Sequence, residues 1–420
     1  MRVQVLILAA LLALPVLQCA AVDTDTFEQR YRDLERRFDD LKHQRVDVSA
    51  AQALIPDIER TKKRRDRNEL ARLMNEFERR LNLASSTTTD KQQVQDTAPL
   101  PAGVIDEVTI IRALSNNENF IKLLQYRGQA SVVDKSGGAG RNKGRFSDVA
   151  AQRDALWVLG RGIAENNSDL IDRAIRAMEY AFTLQEEKGN FRNAHGVSAI
   201  KAVGADAFFL QAFGHAYLLL AQSSYKLEFL PRLDVLKPKL RSAMSWLKEN
   251  EQELYRQDKN APNRLAFDGL AFLLNGMVLA DASLVQTGKE FLHATMERQR
   301  ADGVFLEHGG YDSSYQAVNI GNLQVAWLYT NDEVLRRSLF QAMQRGVEWE
   351  KSRIRASGEV IVEGNTRTGL GQETFFGKSK DVNYAEVALA LFYWAKIADD
   401  PAYERLGNAM IGYALSKRGR

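Results

Sequence analysis

Between Gln299 and Tyr315 the chain gathers Glu307, His308, Tyr311, Asp312 and Tyr315 around the pair Gly309-Gly310. Histidine and tyrosine close together can act as base and acid in one proton-transfer reaction. Two carboxylates about 5 to 10 Å apart would instead serve glycoside hydrolysis, and Asp268 or Glu363 can join Glu307 and Asp312 for that purpose. His308, Tyr311 and Tyr315 follow one another at spacings of three and four, which on a continuous helix puts them on one face. The two glycines predict a break in that helix before Tyr311. His308, flanked by glycine in a loop, is hard to explain as core, whereas Tyr315 suits a core or a site equally. His215, inside the apolar run Phe213-Gly214-His215-Ala216-Tyr217, reads as a hydrogen-bonded core residue. His195, with Asn193, sits in a long loop suited to lining a cleft. His43 and His293 read as surface residues.

Two glycine-rich loops suit an anionic ligand. Lys135 to Arg145 (KSGGAGRNKGR) carries Arg141, Lys143 and Arg145. It lacks a Gly-Lys-Ser/Thr ending and a preceding strand, so a nucleotide P-loop is not expected; the loop reads either as a basic lid over a polyanion or as a solvated loop. Glu363 to Gly369 carries Arg367, whose guanidinium can hold a carboxylate through two parallel hydrogen bonds. Phe305, Tyr311, Phe375 and Phe376 are aromatic platforms of the kind sugar rings stack on. One cysteine and five histidines without an H-E-x-x-H pair argue against a dedicated zinc site. No cofactor is expected; calcium, which needs only oxygen ligands, stays open. A net charge of +3 over 420 residues is too mild for a nucleic-acid binder.

The elements that must position these residues follow from periodicity and punctuation. Residues 1–21 have the form of an export signal: Arg2, an apolar run from Val3 to Leu17, then Cys19, Ala20 and Ala21. That run is shorter than the roughly 20 apolar residues of a membrane span. A periplasmic or extracellular location follows, with Cys19 as an alternative lipid anchor. Over 22–84, Phe27, Tyr31, Leu34, Phe38 and Leu41, then Ile58, Leu70, Leu73, Phe77 and Leu81, recur at helical spacing. They predict a two-helix, coiled-coil-like arm turning near Val46 to Ala51, able to dock a partner protein or hold the rest near a membrane. Residues 85–103, rich in Ser, Thr, Asp, Gln and Pro, have a linker's composition.

From residue 104 to 420 the chain reads as helical hairpins. Capping residues open helices at Asn166–Leu170, Asp281–Leu284, Thr330–Glu333 and Asp399–Ala402, each after an apolar helix. Such pairs bury their inner faces only by stacking on neighbours. The long loops at 128–147, 186–202 and 299–313 fall at one end of the hairpins, which favours a closed ring with a cleft at that end. The expected fold is therefore all-α, an incomplete or complete (α/α)5–6 toroid with a small β-hairpin at 357–369.

At Asn263 to Trp327 the sequence resembles the heparinase II/III-like and alginate-type polysaccharide lyases, which are α/α toroids. Asn263-Arg264, Gln299, Asp302-Gly303, Glu307 and Tyr311 fall where that pattern has an Asn-His pair, a Gln, an Asp-Gly turn, a Glu and a Tyr. Asp302-Gly303-Val304-Phe305 with His308 behind it is also similar to hyaluronate and chondroitin lyases. Arg264 stands where the pattern has His, and Asp312 follows Tyr311 where a His is common. The resemblance implies β-elimination in an acidic, uronate-containing polysaccharide. Asn263 and Arg264 would neutralise the substrate carboxylate, and His308, Tyr311 and Tyr315 would supply base and acid. Glu307, Asp312, Arg367, His195, Asn193, Arg141, Lys143, Arg145 and Phe305 would contact substrate. Two rivals stand beside the lyase: a glycoside hydrolase on the same toroid, and a non-catalytic scaffold for polysaccharide binding or secretion.

Overall fold

The computed structural model describes residues 31, 34–39, 42, 48–64, 69–70, 72–78, 80–81, 105–130, 132–133, 137–140, 149–192, 202–369, 372–375 and 378–418. The expected export signal, the linker at 85–103 and the candidates Arg141, Lys143, Arg145, Asn193 and His195 lie outside these residues. The chain forms two compact units, Met1–Ala98 and Pro99–Arg420.

In the first unit, helices α1 (Ser49–Gln52) and α2 (Ile55–Arg64) accompany helical residues at 34–39 and 72–78. Leu34, Phe38, Ile58, Met74, Phe77 and Leu81 form its buried centre, with the Phe38 and Phe77 rings 5.8 Å apart. Where a simple turn was expected near Val46 to Ala51, the short helix α1 stands. Val48 and Ala51 are both buried, so the apolar side chains of the connection join the core instead of facing water.

The second unit is all-α apart from two-residue ladders. Its helices are α3 (Glu107–Leu114), α4 (Glu118–Ala130), α5 (Val149–Gln152), α6 (Ala155–Ala164), α7 (Ser168–Ala181), α8 (Ala202–Gln222), α9 (Lys226–Asp234), α10 (Lys237–Glu249) and α11 (Glu251–Asp258). They continue with α12 (Pro262–Leu279), α13 (Ala282–Met296), α14 (Ser313–Tyr329), α15 (Glu333–Ser352), α16 (Tyr384–Ile397) and α17 (Pro401–Arg418). The N-caps sit where short polar side chains punctuate the sequence. Asn167 receives the Leu170 N–H, Asp281 those of Ser283 and Leu284, and Asp332 those of Val334 and Leu335.

Helices pair as α6/α7, α12/α13, α14/α15 and α16/α17, while α8, α12, α14 and α16 pack in succession. The last hairpin returns to the first helices: α17 and α16 both pack on α4. Helix α8 is long and apolar enough to cross a membrane by composition, yet 94% of that stretch is buried in the protein. A helix apolar all round belongs inside a core.

Two antiparallel ladders pair β1 (Val132–Val133) with β2 (Ala139–Gly140) and β3 (Thr374–Phe375) with β4 (Lys378–Ser379). The hairpin expected at 357–369 is not a ladder. That stretch carries turns and isolated bridges, Ile354 to Val360 and Tyr311 to Asn365, because its backbone groups bond to the 307–312 loop.

Candidate functional site

A repeated turn carries the end of the molecule where the candidate residues lie. Gln185 bridges Phe191, and Gln299 bridges Phe305. The Gln185 amide donates to the carbonyls of Gly189 (3.0 Å) and Lys239 (2.8 Å), and the Gln299 amide to those of Gly303 (3.0 Å) and Ala342 (2.8 Å). Gly189 and Gly303 have φ of +95° and +92°, and a Cβ on either would collide with a carbonyl of the adjacent helix, Ser242 or Arg345. Gln299 and Asp302-Gly303, which carried much of the lyase resemblance, are thus parts of a turn built twice. The spacing Gln-x-x-x-Gly-x-Phe at 185–191 and 299–305 was the signal in the sequence.

Phe305 closes the second turn. Its N–H bonds to Gln316, and its ring is 2% exposed, so it is a core residue and not a platform for sugar. Asp312 is likewise corrected. It caps α14 through the N–H groups of Ser314 and Tyr315, and its other oxygen accepts from the N–H groups of Arg367 and Thr368. With 1% exposure it is consumed by the fold. Tyr311 donates its hydroxyl to the Glu363 carbonyl (3.1 Å), and its ring meets Trp349 edge-on with Arg353 over it. It ties the 307–312 loop to 363–366. Because α14 starts at Ser313, His308, Tyr311 and Tyr315 share no helical face.

The remaining candidates converge on one buried ion pair, Glu307 with Arg367. Arg367 also donates its Nε to Glu373 (2.7 Å), so its fork is occupied by the protein's own carboxylates and not left for a substrate's. Its guanidinium lies 3.8 Å from the centre of the Tyr315 ring. Lys380 donates to the Tyr315 hydroxyl and to Glu373 (3.0 Å). On the other side, His308 Nε2 lies 3.7 Å from Glu307 Oε1. His308 holds a left-handed backbone, φ +52°, its N–H bonded to the Asn260 carbonyl, while about half of its side chain stays exposed.

The electrostatics follow from this geometry. Burial pushes the Glu307 carboxyl up to about 7 despite Arg367, and its Oε2 has no hydrogen-bond partner. Burial, helped by Arg367, holds the His308 imidazole below its ordinary value, so it is neutral at neutral pH. Burial raises the Tyr315 hydroxyl, while Arg367 and Lys380 pull the other way. Glu373 is held low: hydrogen bonds from Arg367 and Lys380 outweigh burial.

Asn263 and Arg264 occupy the first turn of α12 behind this cluster. Arg264 pairs with buried Asp258 at 3.2 Å, and Asn263 is buried with its Oδ1 unpartnered. One turn on, Asp268 is buried, and its carboxyl is raised well above the usual range by burial and by Asp258. Neither Asn263 nor Arg264 stands free for a substrate carboxylate. Lys380 and Glu373 were missed in the sequence because 65 and 58 residues separate them from Tyr315.

Glu107, also missed, forms the hub of the unit. It accepts hydrogen bonds from His215 (2.6 Å), Tyr329 (2.7 Å) and Tyr393 (2.9 Å), joining α3, α8, α14 and α16. Burial opposes its charge, but His215 and the two tyrosines hold it below the usual range. Among the described residues, no group of three or more His, Cys, Asp or Glu could hold a metal ion. No protein-family model matches the chain, and no curated protein or solved structure matches it either.

Proposed function

We propose that this is an exported, carbohydrate-active protein that cleaves an acidic, uronate-containing polysaccharide by β-elimination, on hairpins arranged as an (α/α) toroid. The ring reading is supported by the packing of the last hairpin on α4 and by the turn repeated at 185–191 and 299–305. The elimination reading is carried by one observation: His308 and Tyr315 flank the same Glu307–Arg367 ion pair.

In this chemistry neutral His308 takes the proton beside the substrate carboxylate. The electrons form the carbon–carbon double bond, the glycosidic carbon–oxygen bond breaks, and Tyr315 gives its proton to the leaving oxygen. Lys380 donates to the Tyr315 oxygen, which leaves the phenolic proton free to point at the leaving group. Lys380 is the cation beside Tyr315 and Glu373, and its positive charge neutralises the substrate carboxylate so that the proton can be removed.

A specific observation favours hydrolysis as the second reading. Glu307 keeps a proton up to about pH 7 and has an unpartnered oxygen, as a general acid requires. The discriminating experiment incubates the full-length protein with a panel of acidic polysaccharides and follows the ultraviolet absorbance of the unsaturated product. His308→Ala and Tyr315→Phe should each lower that rate roughly 10²–10⁴-fold with an unchanged thermal melt. Full activity in both variants removes the elimination reading. New reducing ends without absorbance point to Glu307 and hydrolysis, and binding without any product points to a scaffold.

A further inference from the structure

Seven helices, α3, α4, α6, α8, α12, α14 and α16, line a cavity of about 170 Å³ beside the Glu107 hub. That is an order of magnitude above the roughly 10–15 Å³ a single water needs. Its chemistry is mixed in a specific way. Arg127, Arg153, Gln211 and Asn322 bring donors, and Asp154 and Glu386 bring acceptors.

The two guanidinium groups are held in place by stacking. Arg127 lies 4.7 Å over the Trp157 ring and pairs with Glu386 at 3.2 Å, while Arg153 lies 4.7 Å over Phe208. Trp157 and Phe267 are half-buried aromatics on this lining. Hydroxyl groups, each both donor and acceptor, arranged around a ring with apolar C–H faces, match such a lining.

Two glycines set the space. Gly160 on α6 and Gly321 on α14 line the cavity, and a Cβ on either would meet nothing within 4 Å. At Gly162, Gly214, Gly269 and Gly276 a Cβ would come within 3.0 Å of a neighbour, so close packing explains those residues. Gly412, another described helical glycine with such freedom, is exposed on the surface. Glycine inside a helix is destabilising relative to alanine, and against open space it gains no packing in return. At Gly160 and Gly321 the absence of a side chain leaves the cavity clear.

We propose that this cavity is a saccharide subsite that admits one terminal pyranose ring, kept open by Gly160 and Gly321. Naming the ligand a saccharide rests on the function proposed above. Asn322 on the cavity lining donates its amide to the Asn263 carbonyl at 3.5 Å, in the first turn of α12 that also carries Arg264.

The full-length protein is titrated by calorimetry with D-glucuronate, D-galacturonate and D-glucose, alongside Gly160→Leu, Gly321→Leu and Trp157→Ala. The leucines fill the cavity without a clash at Cβ, so these variants should melt like the wild type. Binding of at least one sugar, weakened about tenfold or more in both leucine variants, is the expected result. Preference for the uronates over glucose shows that the carboxylate is read there; equal binding shows a neutral ring suffices. Undiminished binding in the leucine variants, or no binding of any of the three sugars, overturns the proposal. Polymer cleavage that persists unchanged in Gly321→Leu also overturns the subsite while leaving the elimination reading intact. Sugar binding lost in Gly321→Leu, with no product from any polymer, keeps the subsite and removes the elimination reading.

Discussion

The turns at 185–191 and 299–305 use the same parts for different ends. Each has a glutamine amide bridging two carbonyls, a glycine in the left-handed region pressed on the next helix, and a closing phenylalanine in the core. Beneath the first, Asp206 accepts the Phe191 N–H, and burial pushes its carboxyl up to about 8. Beneath the second, Gln316 takes that role, and the chain runs on into Glu307 and His308. The difference teaches that the glutamine and the Asp-Gly corner are scaffold, and that the cluster of titratable side chains begins two residues after the turn closes. A resemblance resting on the turn therefore speaks to architecture; one resting on His308 and Tyr315 would speak to activity.

The largest effect should come from breaking both turns at their glycines. Gly189→Ala and Gly303→Ala each force a side chain into the left-handed region and against a carbonyl, and each should cost about 3 kcal/mol in denaturant unfolding. Gly303→Ala should also lower turnover, since it displaces the residues leading to Glu307, and Gly189→Ala should leave the rate of the remaining folded protein intact. Equal activity losses in the two variants would mean the turns are not functionally distinct.

A smaller effect separates the two buried acids. Both carboxyls are raised in the folded protein, so the native state holds protons that the unfolded chain releases. The associated stability is present below the ordinary carboxyl range, near 4. It is lost as pH rises through about 7 for Glu307 and about 8 for Asp206. Asp206→Asn and Glu307→Gln should each flatten that decline, by about 2 kcal/mol between pH 5 and about pH 6.5 on the scale of 1.36 kcal/mol per pH unit. Only Glu307→Gln should also change the pH profile of turnover. Unfolding free energies measured across this range decide it, and a decline as steep as the wild type's in either variant refutes the assignment for that acid.

The smallest effect tests whether the turns are equivalent as scaffold. Gln185→Ala and Gln299→Ala each remove two hydrogen bonds to carbonyls and should cost about 1 kcal/mol apiece. Costs differing severalfold would show that Arg345, which donates to the Gln299 side chain at 2.8 Å, strengthens the second turn.

Much of the fold was legible because its rules are local. Asn167, Asp281 and Asp332 announce helix starts through side-chain bonds to N–H groups two or three residues on. His215 read correctly as a hydrogen-bonded core residue, since polar groups inside apolar helices need partners. Its partner, Glu107, stands 108 residues away and gives no sign at sequence level. The site was legible only as a neighbourhood. His308 and Tyr315 were singled out, but so were Phe305, Tyr311 and Asp312 in the same stretch, and these serve the fold. Burial sets Phe305 and Asp312 apart and the Glu363 carbonyl engages Tyr311, and neither is a property of spacing.

Residue order alone determined the helical hairpins, their caps and the cluster of titratable side chains after Gln299, because periodicity and capping act within a few residues. Tertiary structure decided which of those side chains keep a free face. The Glu307–Arg367 pair joins positions 60 residues apart, and only its burial moves the Glu307 proton toward neutral pH. The cavity between the seven helices likewise exists only once they pack together, and its openness at Gly160 and Gly321 depends on neighbours that no local pattern names.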